Sequence, residues 1–147
     1  MGYTMTEFVA TQTPVIQVTL AYLVLYYVFL LYGLRVKLKM LRECRARGER
    51  FDRYSGDYPE LRAADRIQLN TLEHMPPFLA FLWLHAMVVG PSSAAVLGWI
   101  YVALRASYPF FLGRRLGRII PQRLLINTFT GYTVLAVLAG WTVVDLL

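Results

Sequence analysis

The chain has 147 residues, room for one compact domain, and 57% of them are apolar, well above the share in a soluble protein. Its net charge of +6 would suit a nucleic-acid binder, but fourteen of the fifteen Lys and Arg lie in two stretches, Arg35 to Arg66 and Arg114 to Arg123. So clustered, the charge reads as membrane orientation, and no nucleic-acid partner is expected.

No Asp, Glu, Lys or Arg occurs from Phe8 to Leu34, from His74 to Leu104, or from Leu124 to Val144. A membrane-crossing helix needs roughly 20 mainly apolar residues. The first and third runs supply one crossing each. The middle run is too long for one, and Gly90-Pro91-Ser92-Ser93 divides it with a turn signal. The reading is an all-α, integral membrane four-helix bundle forming a single domain over residues 1–147. Its helices are expected at about 14–36, 60–89, 93–114 and 122–146. With four crossings both basic stretches fall on one side. The positive-inside rule then puts both basic loops in the cytoplasm and both termini outside. A cleaved signal peptide fits the first helix poorly, because its apolar run is too long and no basic residue precedes it. Cys44, the only cysteine, lies in the basic loop and cannot pair within one chain.

Helix two carries polar residues that a crossing helix tolerates only toward protein or a wet cavity. Arg62, Arg66, Asn70, Glu73 and Pro77 recur every three or four residues and form one stripe. Gln68 points to nearly the opposite face. One helix cannot aim Arg66 and Gln68 at a single small ligand, but two copies meeting at a subunit interface could. Arg66 and Glu73 stand two turns apart, so direct pairing between them is strained. His74 reads as a packed or interfacial histidine, since no second His, Cys or carboxylate sits at a useful metal spacing, and no metal is expected. Pro76 and Pro77 remove two backbone donors just after the stripe and should bend the helix there.

Helix three carries one buried-looking charge, Arg105, with Tyr108 and Leu112 on the same face. Glu73 on an adjacent helix is its expected ionic partner. Tyr101 and Tyr132 read as interface or packing aromatics.

The run Arg66-Ile-Gln68-Leu-Asn70-Thr-Leu-Glu73, followed by Pro76-Pro77-Phe78, resembles the second-helix motif of the membrane-associated proteins in eicosanoid and glutathione metabolism, the MAPEG family. That family includes microsomal glutathione transferases, leukotriene C synthase, microsomal prostaglandin E synthase and the five-lipoxygenase-activating protein. The resemblance implies a homotrimer that binds glutathione between subunits, near the cytoplasmic helix ends. Arg66, Asn70 and Glu73 would contact the tripeptide from one subunit and Gln68 from the neighbour. His74 stands where some members have tyrosine. Arg105 and Tyr108 match an Arg-x-x-Tyr/His element of helix three. Leu112 stands where catalytic members usually have a second tyrosine, which removes one possible hydrogen bond to sulfur. Arg35 or Lys37 would supply a first-helix cation. Pro121-Gln122-Arg123 resembles the family's sulfur-activating element, with Arg118 as the competing position.

Glutathione has two carboxylates, an ammonium and a thiol. Arginine forks suit carboxylates, and Glu73 suits the ammonium. A free thiol titrates at a pKa of about 8.5, so a nearby guanidinium at Arg123 would raise the thiolate fraction at neutral pH. The expectation is a glutathione-dependent transferase, open also to hydroperoxide reduction or isomerisation, acting on lipophilic electrophiles. The alternative is a non-catalytic lipid-binding or presenting protein, toward which Leu112 points. A plain membrane scaffold, with no ligand, is the third.

Overall fold

A computed structural model describes residues 4–54, 56–116 and 122–147. Four helices account for most of them: α1 (Met5–Ala46), α2 (Pro59–Val88), α3 (Pro91–Leu112) and α4 (Gln122–Leu146).

α1 is longer at both ends than the 14–36 expected from its apolar run. Its start is set by a capping box, with the Glu7 amide donating to Thr4 Oγ1 at 3.3 Å and the Thr4 amide to Glu7 Oε2 at 2.9 Å. Beyond Leu34 the sequence holds good helix formers and no glycine until Gly48, whose φ of 71° ends the helical path. At 1.5 Å per residue its 42 residues span roughly 60 Å, about twice the hydrocarbon thickness. Arg35, Lys39 and Arg42 therefore extend from the basic end as helix rather than loop. Proline at the first helical position opens both α2 and α3.

α2 and α3 pack against each other at the centre. α1 and α4 each touch both, and among the described residues they do not touch one another. Val18 and Tyr22 of α1, Phe78 and Leu82 of α2, Tyr101 of α3 and Leu138 of α4 are buried in the main core. The Phe78 ring lies 4.9 Å from Tyr22 and 4.3 Å from Tyr101. Gly98 permits the close approach of α3, since a β-carbon there would stand 2.6 Å from Val18 Cγ1 and 2.9 Å from Leu82 Cδ1. The Tyr22 hydroxyl donates to the Thr71 carbonyl at 2.8 Å, in the turn just before Pro76-Pro77.

Outside this core the bundle shows large apolar side chains, among them Leu20, Val24 and Leu31 on α1 and Ile126, Phe129 and Val144 on α4. Such a surface suits lipid rather than water. α1, α3 and α4 are long and apolar enough to cross a membrane. α2 is not among them, because its first half carries the polar stripe.

Ion pairs order the basic end. Glu60, in the first turn of α2, takes Lys39 Nζ at 2.9 Å and Arg115 Nη2 at 3.3 Å. Asp65 takes Arg53 at 3.2 Å, and Arg62 pairs with Asp57. The Leu116 amide donates to the Pro59 carbonyl at 3.1 Å. Each exposed pair is worth little alone. Together they fasten α1 and the segment after α3 to the head of α2. Arg62 and Asp65 are thereby committed to the loops.

Candidate functional site

The residues left over from that commitment line a groove. It has a volume of about 770 Å³ and runs between α2 and α4 at the basic end of the bundle. Arg66, Asn70, Glu73, His74 and Pro77 contribute from α2 and Tyr108 and Leu112 from the end of α3. Thr128 and Tyr132 are the polar contributions of α4, whose other wall residues are apolar. The helical repeat explains the convergence on α2: spacings of three and four return to one face.

Arg66 and Glu73 are both exposed, and among the described residues neither forms a salt bridge. Seven residues of helix separate them by roughly 10 Å of rise, too far for direct pairing. Both lie within electrostatic reach of the Tyr108 hydroxyl. Asn70, between them, is buried, and its Oδ1 accepts from Arg105 Nη1 at 2.6 Å. The ionic partnership expected between Arg105 and Glu73 is thus replaced by an amide contact. The reason is depth: Arg105 is fully buried and meets Asn70 behind the groove wall, while Glu73 is on the open side. Arg105 itself does not line the groove.

His74 is packed and not free. Its Nδ1 shares a hydrogen bond of 2.8 Å with the Tyr101 hydroxyl, and its ring lies 5.1 Å from that of Tyr132. Tyr101 is buried, so it is a core residue and no interfacial aromatic, whereas Tyr132 is half exposed on the groove.

Gln68 is not brought to the groove. Its side chain faces α1, where a β-carbon on Gly33 would stand 3.3 Å from Gln68 Oε1. Arg35, two residues beyond Gly33, lines a second depression with Leu31, Leu34, Leu38, Arg42 and Arg114. One chain therefore shows Arg66, Asn70 and Glu73 on the groove, and Gln68 and Arg35 away from it. Arg123, in the first turn of α4, is exposed and stands beside the wall residues Leu124 and Leu125 without itself lining the groove. Arg118 and Pro121 lie outside the described residues.

The α4 side of the site escaped the sequence reading. Thr128, Tyr132, Leu135 and Ala139 share a face at spacings of three and four. Between Arg123 and Asp145 the helix carries no charge, and that face looks like any other. Asn127 was a findable signal, as a lone amide in an apolar run. Its Nδ2 donates to the Leu104 carbonyl at 3.1 Å and to Ser107 Oγ at 2.9 Å, fixing α4 against α3 beside the groove.

As chemistry, the groove offers a guanidinium at its mouth, an amide behind, a carboxylate two turns deeper and an apolar wall opposite. That set can hold a small zwitterion alongside a lipophilic molecule. The sequence model of the MAPEG family matches residues 14–144 of the chain. No curated protein matches it.

Proposed function

The chain belongs to the MAPEG family, and from that membership and the groove we propose that it is a glutathione-dependent membrane transferase acting on lipophilic electrophiles. The observation that carries the reading is the convergence of Arg66, Asn70 and Glu73 on one groove, with neither charge in a salt bridge among the described residues. The Arg66 guanidinium takes a glutathione carboxylate, and Glu73 takes the ammonium. Asn70, His74 and Tyr108 complete this half of the site. The working form is a homotrimer. Gln68 and Arg35 of a neighbouring subunit close over the groove, which explains their absence from it in one chain.

Arg123 at the head of α4 acts on the thiol. A guanidinium there favours the thiolate, and the helix N-terminus adds a positive dipole end. The thiolate attacks an electrophile that enters along the apolar wall from the bilayer. Transfer, hydroperoxide reduction and isomerisation all begin from that anion. Both termini lie outside and both basic loops in the cytoplasm, with α2 as the fourth crossing.

A second reading is a non-catalytic lipid-binding protein. Leu112 favours it, because it places an alkyl group on the groove wall where a hydroxyl could have met sulfur. Consumption of glutathione by the purified protein with a lipophilic aryl halide and with a lipid hydroperoxide separates the two. Turnover with either supports the transferase. Glutathione binding without turnover on any electrophile supports the second reading.

A further inference from the structure

Among the described residues Arg105 neither lines the groove nor pairs with a carboxylate. Its guanidinium is fully buried, and Nη1 donates to Asn70 Oδ1 at 2.6 Å. Nε and Nη2 make no hydrogen bond among the described residues. The Tyr101 and Tyr108 rings stand 5.1 and 6.0 Å from the guanidinium carbon, and their faces help hold its charge. On the α4 side the room comes from Gly131, where a β-carbon would collide with Nη2.

An arginine side chain only donates hydrogen bonds. The Asn70 atom facing it must therefore be the oxygen, and the amide NH₂ group is turned away from Arg105. Asn70 also lines the groove. We infer that Arg105 is a positioning residue that locks the Asn70 amide with Nδ2 turned into the groove, where it donates to an acceptor oxygen of the ligand. A donor bound to a charge polarises the amide and strengthens its opposite end as a donor. The buried positive charge thus acts in the groove without entering it. The ligand group that Asn70 takes is a carboxylate or peptide carbonyl oxygen, and Glu73, one turn deeper, is left for the ammonium. The identity of that ligand rests on the glutathione reading; the orientation of the amide does not.

The test uses the full-length protein in detergent with two readouts: the side-chain amide signals of Asn70 by NMR, and the dissociation constant for glutathione. Arg105→Met should shift the Asn70 signals and raise the constant at least fivefold, with Arg105→Lys recovering part of both. Gly131→Ala, which alters no wall residue, should reproduce the shift by crowding the guanidinium. Asn70→Asp keeps a partner for Arg105 and should melt no earlier than the parent. It should still lose at least tenfold in glutathione affinity, because an acceptor then faces an acceptor. Unmoved Asn70 signals in folded Arg105→Met or Gly131→Ala would overturn the inference, as would Asn70→Asp binding glutathione like the parent. If the parent binds no glutathione but the signals shift, the amide orientation stands and the glutathione reading falls.

Discussion

Arg66 and Gln68 are two residues apart on α2 and serve opposite faces: Arg66 lines the groove beside α4, and Gln68 packs toward Gly33 of α1. A site that uses both must draw them from different chains. Mass measurement in detergent should give three chains. Arg66→Ala and Gln68→Ala should each weaken glutathione binding, and co-assembled mixtures of the two should recover part of it, since some interfaces then hold both native residues. No recovery in verified mixed trimers would refute the shared site.

Arg66 and Glu73 should govern affinity. Removing either leaves a charged ligand group without its partner, a loss of roughly 2–5 kcal/mol by analogy with charge pairs at interfaces. Arg66→Ala and Glu73→Gln should each raise the dissociation constant for glutathione at least tenfold in calorimetry. Unchanged affinity in a folded trimer would reduce either residue to a structural role.

The polar stripe on α2 was legible in the sequence because charge in an apolar helix is conspicuous and its spacing fixes its face. The separation of Gln68 from that stripe followed from the same geometry. The length of α1 was not legible, because an apolar-run criterion stops at Leu34 while the helix continues through basic residues that favour helix equally well. The Arg105 contact was missed for another reason. Charge complementarity pointed to Glu73, but depth decided, and only packing shows that Asn70 is the group at the level of the buried guanidinium.

Tyr22 of α1 ties to α2 one turn before Pro76-Pro77. Its hydroxyl meets the Thr71 carbonyl at 2.8 Å. Tyr22→Phe keeps the ring packing and removes that hydrogen bond, at a cost of about 0.5–1.5 kcal/mol. Thermal unfolding in detergent should show a lower midpoint. An unchanged midpoint would mean that this hydrogen bond does not contribute to stability.

Topology follows from the loop charges. In a Cys44→Ser background, a cysteine in the turn at residues 90–93 should react with an impermeant thiol reagent in intact cells. One placed in the loop at 47–54 should react only after lysis. The reverse pattern would overturn the orientation.

The central claim is that this protein holds glutathione as a thiolate. Titrating the purified protein with glutathione and following ultraviolet absorbance of the thiolate near neutral pH tests it directly. The expected result is a saturable thiolate signal that Arg123→Leu abolishes, with turnover cut by about 10²-fold and affinity changed less. Arg118→Leu is the matched control: loss of the signal there and not at Arg123 would move the activating role to Arg118. Saturable glutathione binding with no thiolate signal in the parent protein would contradict the claim.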